Sequence, residues 1–231
     1  IVFIMELIPA IDVLNNIVVR AFLGERKKYR PIVTKLTNSF KLEEIINGIL
    51  KEYKFKKIYI ADLNAIMGKK NNFKIINKAV KKFPNIDFWI DYGVKNFLDF
   101  KKKENIGFKT IIGSETLENI DEFKKIRKYK NNDFILSLDF KNNYFLGPSN
   151  LLKIKKLWPK KIIFMMLDSI GSKKRPEIIK FNKKNFFLKK DFYIAGGISD
   201  NQDIKFLEKR GFKGVILSTA LHEKKIIYKN L

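Results

Sequence analysis

The sequence predicts an α/β fold, a (β/α)₈ TIM barrel built from two pseudo-symmetric (βα)₄ half-barrels. Three observations carry this. Short β-rich runs alternate with amphipathic, lysine-rich stretches along the 231 residues, which is the pattern of parallel βα units. Eight such runs fit in a chain close to the ~250 residues usual for this barrel. Several segments also recur at one fixed spacing, the mark of an internal repeat. A doubly wound open sheet is the alternative, but no Gly-x-Gly-x-x-Gly follows the first run.

The predicted strands are Glu6–Ile11, Lys57–Ala61, Phe88–Ile90, Thr110–Ile112, Phe134–Leu138, Ile162–Met166, Phe192–Ala195 and Gly214–Leu217. Apolar residues three or four apart predict helices over Leu42–Tyr53, Asn72–Lys82, Leu117–Lys128 and Asn201–Lys209. Phe88–Lys95 reads like Phe192–Ser199, Phe108–Leu117 like Phe212–Leu221, and Lys56–Ile58 like Lys160–Ile162, each pair 104 residues apart. One barrel domain over 1–231 is expected, with half-barrels of about 5–130 and 131–231 and a seam near Lys130–Asp133. The first strand breaks the spacing. Pro9-Ala10-Ile11-Asp12 matches Leu136-Ser137-Leu138-Asp139 at an offset of 127, leaving about 23 extra residues within Leu14–Thr37. That excess holds the polar run Gly24–Arg30, a long loop expected to cover the active site.

Composition narrows the chemistry. There is no cysteine and one histidine, His222, which excludes a disulfide scaffold, thiolate zinc and a cysteine nucleophile, and disfavours a Ser-His-Asp triad. Neither metal nor cofactor is expected, so the work falls to carboxylates, hydroxyls, amides and lysines. The net charge is +24, which would suit nucleic acid or an anionic surface. Lysine, however, is spread along every segment, and arginine occurs only at positions 20, 26, 30, 127, 175 and 210. Nucleic-acid readers favour arginine forks, so compositional drift is the better reading and the expected partner is a small phosphorylated molecule. No apolar run reaches the ~18 residues of a membrane span, and Ile1–Met5 lacks a basic leader region. The expected compartment is the cytoplasm; oligomeric state is not legible.

Asp12 and Asp139 follow the apolar runs of equivalent strands, which in a barrel places them at the active-site mouth. Two opposed carboxylates suit general acid–base catalysis, one giving a proton while the other takes one. A lone aspartate there would read as a turn cap; the symmetric pair favours catalysis. Gly196-Gly197 and Ser218-Thr219 follow strands seven and eight, where barrels recurrently bind phosphate. Gly93, Gly113 and Ser114 are their first-half equivalents, so two phosphates are expected on opposite sides, although Asp91-Tyr92 crowds and charges the first. His222 reads as a packing residue, and Trp89 and Trp158 as core.

These residues resemble the histidine-biosynthesis barrels, the HisA/HisF family. The resemblance runs through Ile8-Pro9-Ala10-Ile11-Asp12-Val13, Val18-Val19-Arg20, Ala61-Asp62-Leu63, Ser137-Leu138-Asp139, Ala195-Gly196-Gly197-Ile198-Ser199 and Gly214-Val215-Ile216. It implies a ribulose-phosphate-binding type of barrel and a metal-independent Amadori rearrangement of an aminoaldose phosphate to an aminoketose, in histidine biosynthesis or a related pathway. Asp12 would be the base and Asp139 the acid. Arg20 stands where the isomerases carry arginine and would help bind substrate. Departures cluster at the substrate end: Asp91-Tyr92-Gly93 for Gly-Gly-Gly, Met165 and Ile170 for a threonine and an aspartate, and Asn16 for a glycine. A divergent archaeal-type paralogue with a different phosphorylated substrate, or a non-catalytic phosphate- or nucleic-acid-binding barrel, is the alternative.

Overall fold

Eight parallel strands close on themselves in a computed structural model that describes residues 5–102, 106–131, 133–171 and 189–228. The strands are β1 (Glu6–Leu14), β2 (Lys57–Asp62), β3 (Asp87–Asp91), β4 (Lys109–Gly113), β5 (Ile135–Lys141), β6 (Lys161–Met166), β7 (Asp191–Ala195) and β8 (Gly214–Leu217). Each pairs with the next, and β8 pairs with β1, Gly214 beside Glu6. The predicted TIM barrel is therefore the fold. β6 and β7 begin and end 104 residues after β2 and β3.

Because side chains alternate along a strand, each strand feeds two cores. Tyr59, Trp89, Ile111, Ile135, Ile163, Tyr193 and Ile216 point inward and fill the barrel. Their neighbours Ile58, Ile60, Phe88, Ile90, Ile112, Leu136 and Ile194 point outward under the helices. Trp89 and Tyr193, 104 residues apart, meet edge to face with centroids 4.9 Å apart. Trp158 is buried beneath the shell, its indole N–H donating to the Leu151 carbonyl. The two tryptophans are thus core, as read.

The outer helices include Leu42–Glu52, Phe73–Lys82, Phe97–Lys102, Ile120–Lys130 and Asn201–Lys209. Side-chain caps start two of them: Asn119 accepts from the N–H groups of Asp121 and Glu122, and Asp200 from those of Gln202 and Asp203. The connection from β5 to β6 differs. Its described residues form a short strand, Tyr144–Leu146, and the 3₁₀ turns Ser149–Leu152 and Lys155–Leu157 in place of a long helix. Pro148 immediately precedes the first of these turns. No helix among the described residues is long and apolar enough to cross a membrane.

Two strands run further than their apolar runs predict. β1 continues through Asp12 to Leu14, and β5 through Asp139 to Lys141. Both then reverse through an Asn-Asn turn, Asn15-Asn16 and Asn142-Asn143, with all four residues at positive φ. That is the two-residue hairpin for which asparagine is suited. Each turn sends back an antiparallel partner, Ile17–Arg20 against β1 and Tyr144–Leu146 against β5. The two turns repeat the offset of 127. In the first half a polar cluster clasps the turn: Asn15 N–H donates to Asn64 Oδ1 at 2.8 Å and Asn16 N–H to Asn72 Oδ1 at 2.7 Å. Asn72 is itself tied to Asp62 by its backbone and side-chain nitrogens.

Candidate active site

Alternation carries the inward face up to the C-terminal rim, where side chains need no longer fill the barrel. Along β1 it reads Ile8-Ala10-Asp12, along β3 Trp89-Asp91, along β5 Ile135-Ser137-Asp139 and along β7 Tyr193-Ala195. Three carboxylates therefore rise from three strands into one space. The cavity encloses about 1130 Å³, its open mouth included, and Asp12, Asp91, Asp139, Glu115, Arg26 and Lys141 are its charged lining. Gly196, Gly197, Ser218 and Thr219 line it as well, with Met165 and Ile170 among its apolar residues.

The three aspartates are held differently. Asp139 is 3 % exposed and accepts hydrogen bonds from the Ser137 hydroxyl at 2.6 Å, the Ser114 hydroxyl at 3.1 Å and the Glu115 N–H at 3.0 Å. It caps no turn of its own. Burial, with the Glu115 charge, pushes its carboxyl up to about 7 against the pull of those donors. Asp12 makes no side-chain hydrogen bond among the described residues; burial raises it to about 7, opposed by the Arg26 guanidinium. Asp91 is 5 % exposed, and burial raises it to about 8. Its Oδ1 accepts the Gly93 N–H at 2.9 Å, while its Oδ2 has no partner among the described residues. A Cβ added to Gly113 would stand 3.0 Å from Asp91 Oδ2 and 3.4 Å from Asp139 Oδ2, so the bare glycine is what lets two carboxylates share the rim.

The long loop after β1 reaches the cavity through Gly24, Arg26 and Tyr29. Arg26 pairs with Glu115 at 2.5 Å, tying loop to rim. Arg26, Glu115 and Lys141 were not singled out from the sequence. Arg26 opens a single 3₁₀ turn, Arg26–Lys28, within the long loop, and Glu115 gains its role from a contact across 89 residues. Lys141 and Asp91 could have been read by extending the alternation two residues past Asp139 and Trp89.

The expected binding residues divide. Gly196, Gly197, Ser218 and Thr219 line the cavity. Gly93, Gly113 and Ser114 do not, because Asp91 takes the Gly93 N–H and fills the space beside Gly113, while Ser114 is buried against Asp139. The structure thus brings the second-half set to the cavity and leaves the first-half set outside its lining. Arg20 is also outside the lining: it ends the return strand Ile17–Arg20 and pairs with Glu223 at 2.5 Å. His222 is buried, its Nδ1 3.0 Å from the Thr34 hydroxyl, which fits a packing residue. The stretch after β6 that carries the Met165 and Ile170 departures runs on to Ser172, which lies outside the described residues. Asn16 serves its hairpin turn.

Comparison with known proteins matches this chain to a family. Residues 6–227 fit the model of the histidine biosynthesis protein family. An uncharacterized protein of Methanocaldococcus jannaschii is 33% identical over 229 residues, covering 95% of this chain and 94% of its own. The 1-(5-phosphoribosyl)-5-((5-phosphoribosylamino)methylideneamino)imidazole-4-carboxamide isomerase of Pyrococcus furiosus is 27% identical, covering 93% of this chain and 88% of its own. The protein of the same name from Azobacteroides pseudotrichonymphae is 29% identical, covering 98% of each. The chain belongs to the histidine biosynthesis protein family.

Proposed function

We propose that the cavity is the active site of an aldose–ketose isomerase acting on a phosphoribosyl aminoaldose related to the compound in those isomerases' name. The observation that carries this is the pairing of Asp12 and Asp139: equivalent strand positions, one shared cavity, and carboxyl groups raised to about 7. A carboxyl near neutrality can give or take a proton at little cost, as acid–base catalysis requires. In the rearrangement, an acid protonates the ring oxygen and the sugar opens. A base then removes the C2 proton, and the resulting enolamine tautomerises to the ketone. Asp139, held by three donors, is the fixed member, and Asp12, without side-chain hydrogen bonds among the described residues, is the one free to reach a carbon-bound proton. The family resemblance assigns them the same way, Asp12 as base and Asp139 as acid. The phosphate is received by the Gly196-Gly197 turn and the Ser218 and Thr219 hydroxyls on the opposite wall.

Asp12→Asn and Asp139→Asn keep shape and remove titration. Each variant is expected to lose at least ~10²-fold in turnover of an aminoaldose phosphate, the lower range for general acid–base catalysis, with binding of inorganic phosphate retained. Near-wild-type turnover in either variant would defeat the paired mechanism.

A further inference from the structure

We infer that the substrate carries one phosphate, received by the second-half wall, and that its other end is a non-anionic hydrogen-bond donor, a hydroxyl or amine, received by Asp91. This rests on the reading of the cavity as a sugar-phosphate site and narrows its substrate class.

The internal repeat supplies a comparison within one molecule. Asp91, Tyr92 and Gly93 stand 104 residues before Ala195, Gly196 and Gly197, at the ends of strands with matching bounds. Gly93 and Gly197 share a left-handed backbone, φ +68° and +73°. Beyond that the turns part. Gly196 has φ +98°, and both it and Gly197 line the cavity. Tyr92 does not adopt positive φ; its ring is tucked into the outer core against Phe108. Its turn folds back so that the Gly93 N–H, a donor an anion would need, is taken by Asp91 Oδ1.

The remaining oxygen of Asp91 is the informative atom. The residue is 95 % enclosed, lines the cavity, and has an Oδ2 without a partner among the described residues. An acceptor at the cavity wall without a protein partner among the described residues has a ligand donor as its natural complement. The groups acting on Asp91 include Asp139 and Glu115. Arg26, the cation among them, is already engaged with Glu115. A phosphate placed there would meet a blocked N–H and the neighbouring Asp139 and Glu115, and would oppose ionisation of Asp91. A hydroxyl can pair with the Asp91 carboxyl in either protonation state, and an amine can take its proton and pair with the carboxylate. The specificity of the two walls is thus opposite, anion on one side and donor on the other.

Isothermal titration of the full chain with ribulose 5-phosphate and ribulose 1,5-bisphosphate tests this, with Asp91→Gly and the shape-preserving Asp91→Asn alongside. The wild type is expected to bind the bisphosphate no more tightly than the monophosphate. Asp91→Gly should raise bisphosphate affinity at least tenfold, while monophosphate affinity stays equal or falls. Asp91→Asn should move in the same direction by less, because its Oδ1 still holds the Gly93 N–H. A wild type that binds the bisphosphate tenfold more tightly than the monophosphate overturns the inference and leaves the phosphate cavity standing. If neither sugar phosphate binds to wild type or variants, the sugar-phosphate reading fails and the inference falls with it.

Discussion

The turns after β3 and β7 leave the barrel from equivalent strands, yet one presents a carboxylate and the other two bare glycines. The scaffold beneath them is the same: Trp89 and Tyr193 pack against each other at the barrel's centre from equivalent positions. What differs is one layer of side chains at the rim. In a repeated barrel the strands and inner core can stay symmetric while the rim diverges, because rim residues touch ligand more than they touch each other. The lesson is that a repeat in sequence predicts equivalent positions without predicting equivalent chemistry.

The largest expected effects come from the glycines that shape those turns. A Cβ at Gly93 would stand 2.7 Å from Ile66 Cα and 2.8 Å from the Ala65 carbonyl; at Gly196 it would stand 2.4 Å from the Met166 carbonyl. Both glycines have positive φ. Gly93→Ala and Gly196→Ala should each cost about 2–5 kcal/mol in urea unfolding, combining backbone strain with overpacking. Gly211 has φ +85° but nothing within 4 Å of its Cβ position, so Gly211→Ala should cost about 1–2 kcal/mol, the strain alone. If Gly196→Ala were as mild as Gly211→Ala, the close approach of that turn to β6 would be wrong.

A pair of serines sharpens the comparison at smaller scale. Ser114 and Ser218 occupy equivalent places after β4 and β8. Ser114 is fully buried; its hydroxyl donates to Asp139 Oδ2 and accepts the Asp139 N–H at 2.9 Å. Ser218 faces the cavity and its hydroxyl caps no helix. Ser114→Ala should cost about 1–3 kcal/mol, the range for orphaning buried partners. Ser218→Ala should change stability by less than about 0.5 kcal/mol and weaken inorganic phosphate binding about tenfold, the worth of one hydrogen bond to a charged group. Equal stability losses would mean that the rim is symmetric after all.

These contrasts mark where the sequence was informative. Strand order and closure were legible because alternation and a 104-residue repeat are local or periodic signals, and the equivalence of Asp12 with Asp139 because their strand ends match at an offset of 127. The place of Arg20 outside the cavity lining was not legible, because it depends on a hairpin that turns the side chain toward Glu223, 203 residues away. Arg26 was passed over because no periodicity tells which side chain of a long loop will fold inward. The Asn15-Asn16 and Asn142-Asn143 turns were readable in principle: paired asparagines at the same 127-residue offset as the aspartates announce two hairpins. Asp91 was recognised as crowding its glycine, but its occupation of the rim depends on Gly113, which leaves it room.

The smallest effect concerns pH, and its sign follows from Asp91 itself. Burial raises its carboxyl from the ordinary 3.8 to about 8, with Asp139 and Glu115 adding repulsion and Arg26 and the Gly93 N–H opposing. Between those values the folded chain holds a proton that the unfolded chain has released, so stability falls as pH rises from about 4 through about 8. Asp12 and Asp139, both raised to about 7, add slopes of the same sign. Asp91→Asn keeps an acceptor for the Gly93 N–H and removes one of the three titrations. The variant should unfold close to the wild type at pH 5 and be more stable at pH 9. A gain of about 1 kcal/mol would raise the midpoint by roughly 2–4 °C in a chain of this size. Ala195→Asp, which places the same carboxyl at the equivalent position of β7, should do the reverse and steepen the loss with pH. Thermal melts of the three proteins at pH 5, 7 and 9 read both arms. An Asp91→Asn curve parallel to the wild type's at all three pH values would mean that Asp91 titrates alike in the folded and unfolded chain, and that its carboxyl is solvated at the rim instead of holding a proton there.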